Sequence, residues 1–383
     1  AGSGGPFAGT AVNILLVNWQ DRENPFAGGA EVHLFEVYRR LALGGHRVRL
    51  LCSGWRGASR RASVDGVEVH RVGGRRSFAL LGRGVFRRAV AAEPPDVVVE
   101  NINKLPFFLA GLTAAPFCVL VNHLFGAVAF QQADPFSAAL VWLAERPIPW
   151  AYRRAEFQAV SESTRDDLVG RGVPAERVRV IHSGVDSRAL RPDPAVLRTV
   201  TPTFLYLGRL KRYKRVDLAL RALARTRETR ADVSLDIAGT GDDRPRLERL
   251  AASLGLGDAV RFRGFVGEAE KLRLFRSTWA NLYSSPKEGW GMTNIEAAAC
   301  GTPSLVSDSP GLRDSVKHGE GGFLVPHGDP GALAARMLEL AGDPGLVARL
   351  GLGARRFAEW LSWERAAEQT EAHLRELVAE RRG

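Results

Sequence analysis

The chain is poor in cysteine, poor in lysine and free of long apolar runs. Its three cysteines, Cys52, Cys118 and Cys300, are odd in number, far apart and without Cys-x-x-Cys spacing. This argues against a disulfide framework or a zinc site and for a reducing compartment, so a cytoplasmic protein is expected. The longest uncharged run, Leu105 to Asn122, is too short to span a bilayer and holds Pro106 and Pro116, so it reads as a helix followed by a strand. Residues 1–11 have no basic or apolar region and read as a disordered or vector-derived start. Lysine supplies only six of the 53 basic residues, an arginine bias that looks genome-wide. The net charge of +11 attracts anions such as nucleotides, nucleic acid or an anionic membrane, or is mainly solvated surface. Nothing but charge suggests nucleic acid, since no recognition helix or aromatic-basic module accompanies it.

At 383 residues the chain is too long for one ordinary domain. Unbroken β-branched runs alternate with amphipathic stretches, the pattern of a parallel sheet covered on both faces. The first half offers strands at 12–19, 46–54, 67–72, 96–101, 117–123, 157–163 and 178–185. The second half offers 203–209, 233–239, 260–265, 280–285, 303–308 and 322–327, enough for a Rossmann-like domain. Residues 186–202, with their prolines, read as an interdomain linker, and 330–382 as helical, anchored by Trp360 and Trp363. The expected class is α/β, with two doubly wound domains at 12–190 and 191–365 facing a central cleft. The last helix, 366–383, is expected to pack back toward the first domain. Ligands in such folds bind beyond the C-terminal strand ends.

Several residues stand there. Pro286-Lys287-Glu288-Gly289-Trp290-Gly291 precedes a helix expected at 292–300. Gly289 and Gly291 let a ligand approach the backbone, and the helix start offers N–H groups to a phosphate or to sugar hydroxyls. Glu288 can accept hydroxyl protons, and Glu296 can hold a cis-diol such as a ribose. Alternatively, Thr293-x-x-Glu296 is a capping box. Arg209 at a strand end and Lys214 at the next helix start can clamp a diphosphate, or belong to a basic surface loop. Gly239-x-Gly241 follows a third strand, Gly28-Gly29 open a helix near Ala30, and His123 ends a strand of the first half.

These segments, "EGWGMTNIEAAACGTP" (288–303), "GRLKRYKRVDLALRA" (208–222), "GGAEVHLFEVYRRLALGGHRV" (28–48) and "SGVD" (183–186), resemble the retaining glycosyltransferases of family 4, which have the GT-B fold. The resemblance implies a metal-independent transfer of a hexose from a UDP- or GDP-sugar to a hydroxyl, with no cofactor. It places Glu288 under the donor sugar and Glu296 on the ribose diol. Arg209 and Lys214 would neutralise the diphosphate, and His123 would lie near the reacting centre. Gly28 and Gly29 would admit the donor phosphates. Val266, Glu268 and Lys271, in "FVGEAEK", fall in the base-reading stretch. Met292 and Thr293 join Gly289, Trp290 and Gly291 as walls of the donor pocket. Many relatives have Phe-Gly and Leu-Pro where this chain has Trp290-Gly291 and Met292-Thr293, which leaves the donor sugar open. Other readings are a sugar phosphorylase or nucleotide-sugar epimerase on the same plan, or a silent nucleotide- or carbohydrate-binding protein.

On the acceptor side, residues 21–27 form a loop before the glycine pair. Residues 74–91 mix Arg75, Arg76, Arg83, Arg87 and Arg88 with Phe78, Leu80, Leu81, Val85 and Phe86. With 136–154, this suggests peripheral contact with an anionic membrane and a lipid-linked acceptor. The alternative is two ordinary amphipathic helices with their apolar faces on the core.

Overall fold

The computed structural model describes residues 10–103, 105–132 and 134–382, so most of the start expected at 1–11 lies outside it. Of that start, Thr10 is held, its carbonyl accepting from Arg375 at 2.8 Å. The strands are β1 (Asn13–Val17), β2 (Arg47–Cys52), β3 (Arg61–Val64), β4 (Val67–Arg71), β5 (Val97–Ile102), β6 (Phe117–Val121), β7 (Glu156–Ala159), β8 (Val178–Val180), β9 (Thr203–Leu207), β10 (Ser234–Ala238), β11 (Val260–Gly264), β12 (Ala280–Tyr283), β13 (Ser304–Asp308) and β14 (Gly322–Pro326). The helices are α1 (Gly29–Leu43), α2 (Arg75–Ala92), α3 (Ala129–Gln132), α4 (Pro135–Glu145), α5 (Ile148–Ala151), α6 (Glu162–Gly170), α7 (Val216–Arg227), α8 (Arg244–Ser253), α9 (Glu268–Ser277), α10 (Met292–Ala299), α11 (Pro330–Gly342), α12 (Pro344–Trp360) and α13 (Trp363–Arg382). Two compact units result: 1–129, 135–184 and 363–383 form the first, and 130–134 with 185–362 the second.

The first unit is built on the sheet β3-β4-β2-β1-β5-β6-β7-β8, parallel except for β3 against β4. Strand β3 was not anticipated, although Asp65-Gly66, both at positive φ, is the turn pair that closes tight hairpins. The helix expected after Leu105 does not form. Residues 105–116 hold only one 3-10 turn, Ala110–Leu112. Pro106 and Pro116 cannot donate to a helix ladder, and the buried Glu100 carboxylate takes the N–H groups of Phe107 (2.6 Å) and Leu109 (3.2 Å) instead. Helix α13 belongs to this unit, where Glu364 meets Arg40 at 2.9 Å and Trp363 packs by His33. Trp360, expected as an anchor, is 47% exposed.

The second unit is a six-stranded parallel sheet, β11-β10-β9-β12-β13-β14. Counted within the unit this is the order 3-2-1-4-5-6, with its reversal between β9 and β12. Buried Phe204, Leu205, Leu235, Ile237, Leu282, Leu305 and Val306 fill its two faces. Residues 186–202 are not a free linker. Arg198 donates to the carbonyls of Thr278 and Gly301, and Arg355 to those of Ser187 and Leu190. Trp279 Nε1 donates to the Thr199 carbonyl at 2.9 Å. The segment lacks periodicity because side chains elsewhere in the second unit take several of its carbonyls, while its own Asp186 and Asp193 take N–H groups in short turns.

Gly239 and Gly241 bring the loop after β10 against the loop after β9. A Cβ on Gly239 would stand 1.9 Å from the Gly208 carbonyl oxygen, and one on Gly241 2.0 Å from that of Leu210. Gly241→Ala is therefore expected to lower the unfolding free energy by about 1–3 kcal/mol. Gly342→Ala, where a Cβ meets nothing within 4 Å, should stay within about 0.5 kcal/mol of wild type. Chemical denaturation of both variants is the check, and equal effects would refute the packing role.

Candidate functional site

In an open α/β sheet the crevice lies where the strand order reverses. In the second unit the loops after β9 and β12 flank that point. After β9 the chain makes a 3-10 turn, Arg212–Lys214, and then places Arg215 at φ 53°, a left-handed conformation that costs a non-glycine residue about 1–2 kcal/mol. Two contacts hold it there: Ser284 Oγ, from the β12 loop, donates to the Arg215 carbonyl at 2.8 Å, and the Arg215 guanidinium meets Asp217 at 3.0 Å. The reversal turns Lys214 inward. Its Nζ lies 2.5 Å from Glu288 Oε1, with side-chain exposures of 6% and 16%. Ser285 Oγ donates to the same carboxylate at 2.5 Å. Burial favours the neutral amine, but the Glu288 carboxylate and the nearby Tyr283 and Tyr213 outweigh it and hold the Lys214 pKa above its ordinary value.

Glu288 is fixed through its backbone as well. Its N–H donates to the Pro310 carbonyl at 2.9 Å, and Gly311, at φ 78°, leaves room where a Cβ would meet the Glu288 carbonyl. Gly291, at φ 86°, then starts α10. The buried Asn294 amide joins Asn281 Nδ2 of β12 and Ser315 Oγ, each at 2.9 Å, and pins the helix to the sheet. One turn on, Glu296 Oε1 lies 3.4 Å from Lys271 Nζ of α9, which also meets Glu268 at 2.8 Å. Burial raises the Glu296 pKa, with Lys271 opposing. Lys271 also goes up, because Glu296 and Glu268 overcome its own burial. The two carboxylates, eight positions apart in the sequence, are thus each held by a lysine from a different segment. Among the described residues no three of His, Cys, Asp or Glu are grouped to hold a metal ion.

The description "Glycosyl transferases group 1" matches residues 192–357, and "Glycosyltransferase Family 4" matches 27–189. The D-inositol 3-phosphate glycosyltransferase of Streptomyces avermitilis is 35% identical, over 90% of this chain and 82% of that protein. Its namesake from Catenulispora acidiphila is 31% identical, over 93% of both. The chain belongs to glycosyltransferase family 4. Among solved structures, sucrose-phosphate synthase from Thermosynechococcus elongatus superposes with a TM-score of 0.80 at 22% identity, covering 96% of this chain and 99% of that one. Anabaena HepE in complex with UDP-glucose gives 0.74 at 18%, covering 95% and 100%. Both share the GT-B fold with this chain, which by its family is a glycosyltransferase.

Within this glycosyltransferase the anticipated residues have the following places. Lys214 sits in the 3-10 turn before α7, not in the helix itself. Arg209 lies two positions beyond β9 and is exposed. The capping-box alternative for Glu296 does not hold: α10 is capped by Gly291 without a side-chain bond, and Glu296 reaches Lys271. Trp290 is buried, whereas Gly289, Gly291, Met292, Thr293 and Val266 are half-buried. Glu268 is the first residue of α9. Gly239 and Gly241 serve backbone packing, as described above. In the first unit α1 starts at Gly29. The N–H of its cap residue, Gly28, is already taken by Glu31 Oε2 at 2.8 Å. His123 is half-buried with its ring against Phe125, whose N–H, with that of Gly126, donates to the buried Glu145 carboxylate. Asn281, Ser285, Asn294 and Ser315 were missed. A signal existed for the first two, polar residues within and just after the apolar run "ANLYSS".

Removing one partner of a buried ion pair strands the other charge. Glu288→Ala is expected to destabilise the ligand-free enzyme by about 3–5 kcal/mol. Glu288→Ala with Lys214→Met should recover part of that loss, because no unpaired ammonium is left. Urea unfolding of the two single variants and the double tests it; strict additivity would mean the pair is uncoupled.

Proposed function

We propose that the enzyme is retaining and metal-independent and moves a hexose from a UDP- or GDP-sugar to a hydroxyl acceptor. The observation that carries this reading is the pair of carboxylates, Glu288 and Glu296, each held by a lysine beside the helix start of α10. In this reading Lys214 and Arg209 bind the donor diphosphate and Glu296 the ribose diol. Glu288 accepts hydrogen bonds from the sugar hydroxyls, and Gly289, Gly291, Met292, Thr293 and Trp290 shape the sugar pocket. Val266, Glu268 and Lys271 contact the base. In the first unit Gly28 and Gly29 take the donor phosphates and His123 approaches the reacting centre. UDP-glucose in the HepE structure supports the uridine alternative. The two inositol-phosphate relatives support a polyol phosphate as the first acceptor to try.

In this mechanism the bond between the anomeric carbon and the diphosphate oxygen breaks through an oxocarbenium-like state. The acceptor oxygen attacks the same face, and its proton passes to the departing phosphate oxygen. The developing charge falls on Lys214, Arg209 and the free N–H groups of α10, of which Lys214 and the helix start are fixed in advance. Glu288 stabilises the sugar rather than forming a covalent bond. Lys214 is already charged, so donor binding needs only the exchange of one anionic partner for another.

Calorimetry with UDP and GDP in chelator, followed by NMR of the product anomer, tests the reading. One nucleotide should bind without metal, and Glu296→Ala should abolish that binding. Glu288→Gln should keep nucleotide affinity but slow transfer by about 10²-fold or more. No binding at millimolar nucleotide, or an inverted anomer, would sink it.

A membrane contact is proposed for the first unit. Phe136 (80%), Leu140 (51%), Leu143 (56%) and Trp150 (71%) are exposed on α4 and α5. Arg146 lies 3.9 Å over Trp142, and Arg153 5.6 Å over Trp150. On α2, Phe78 and Phe86 are buried while Leu80 is 84% exposed, so its apolar surface is only partly used by the core. Apolar tips among arginines suit an anionic lipid surface. No helix among the described residues is long and apolar enough to cross a membrane. Cosedimentation should show binding to vesicles with anionic lipid, lost in Phe136→Asp and weakened by salt. Equal recovery with purely zwitterionic vesicles would argue against it.

A further inference from the structure

The strand order of the first unit reverses between β1 and β5. Five polar side chains cluster at the C-terminal ends of β1, β5 and β6, where apolar ones would pack at lower desolvation cost. Asn18 (0% exposed), Asn101 (1%), Asn122 (8%), Asn103 (7%) and Glu31 (3%) are all buried. Asn122 Nδ2 donates to Asn101 Oδ1 at 2.6 Å, and Asn101 Nδ2 to Asn18 Oδ1 at 3.2 Å. Asn18 Nδ2 lies 2.6 Å from the Gln20 carbonyl and 3.4 Å from Glu31 Oε1. The same Glu31 oxygen accepts from Asn103 Nδ2 at 2.7 Å, and its other oxygen from the Gly28 N–H at 2.8 Å.

The order of this chain is set at one end. The Gln20 carbonyl can only accept, and Glu31 Oε1 stands on the same side, so Asn18 turns its NH₂ toward both. Its carbonyl then faces Asn101, which must present NH₂, and the same logic reaches Asn122. Every amide dipole points toward Glu31, the arrangement in which successive hydrogen bonds strengthen one another. One end of the chain is the Gly28 turn at the start of α1, and the other is Asn122, the residue before His123.

We propose that Asn18, Asn101 and Asn122, oriented by the Gln20 carbonyl and Glu31, are positioning residues that lock the Gly28–Gly29 turn and the His123 segment into one register. The ladder makes the two segments a single preorganised unit, so disturbing one loosens the other. Its effect on transfer rests on the roles given above to Gly28, Gly29 and His123; the mechanical coupling does not.

Two measurements on the full chain separate these parts. Hydrogen exchange reads the coupling: Asn122→Ser, at the His123 end, should speed amide exchange in residues 26–31 by about tenfold, and Asn101→Ala should do the same. UDP affinity and UDP-glucose turnover read the consequence: Asn101→Ala should weaken UDP binding, through the loosened Gly28–Gly29 turn, and lower kcat by about ten- to a hundredfold. Asn101→Asp sets two acceptors face to face at Asn18 and should be as impaired. If exchange in 26–31 is unchanged in both Asn122→Ser and Asn101→Ala, the ladder is local packing and the proposal fails. If exchange rises but kcat per folded molecule stays at wild type, the positioning role in transfer fails. If wild type binds no nucleotide, the donor assignment fails instead, while the exchange result still decides the coupling.

Discussion

Burial works against the charge of a lysine with 6% of its side chain exposed, and in this enzyme the Glu288 carboxylate beside Lys214 is the largest influence holding the ammonium. The rest of the second unit serves that meeting. Arg215 is held in an unfavourable backbone conformation so that Lys214 turns inward, and Ser284 from the partner loop supplies the bond that holds it. Gly311 clears the space for the Glu288 backbone, and Ser309 donates to the Ser285 carbonyl to seat the same loop. These contacts join segments that lie far apart in the chain but leave neighbouring strands of one sheet. A buried charge pair of this kind adds little net stability. In the mechanism proposed above, its value is that the cation is already in place, and already charged, when the donor arrives.

The two units solve a common problem with different chemistry. Each must present ordered loops at the point where its strand order reverses. The second unit orders its loops with ion pairs, Lys214 with Glu288 and Lys271 with Glu296, and with the Asn281–Asn294–Ser315 bridge. The first orders its loops with neutral amides terminated by one carboxylate, Glu31. It uses two further buried carboxylates in the same way: Glu100 takes N–H groups of the β5 loop and Glu145 those of the β6 loop. Loops cannot bury unpaired backbone, so each irregular segment beside the strand ends needs an acceptor from elsewhere.

Much of the fold was legible in the sequence, because buried parallel strands are unbroken apolar runs and the helices between them are amphipathic. Thirteen of the strands could be read that way. The fourteenth, β3, is an edge strand of mixed character, and only its Asp65-Gly66 turn signals it. The failed helix after Leu105 has the opposite cause: an apolar run reads as regular structure unless the buried carboxylate that captures its N–H groups is known. The candidate site was legible through spacing and glycine punctuation around Glu288 and Glu296. Its supporting residues were not, because an asparagine or serine in an apolar run carries no mark of which distant atom it will meet.

By itself, the sequence determined the two α/β halves, the loops that would carry chemistry and the family. Those depend on local periodicity and on short motifs, which survive without knowledge of contacts. Only the tertiary structure decided that Lys214 pairs with Glu288, that Glu296 reaches Lys271 instead of capping its helix, that 186–202 is strapped down, and that the Gln20 carbonyl and Glu31 end a line of buried amides. Each of these is a choice between alternative partners. Such choices are made by the parallel sheet, which brings the ends of strands distant in the chain to within hydrogen-bonding reach.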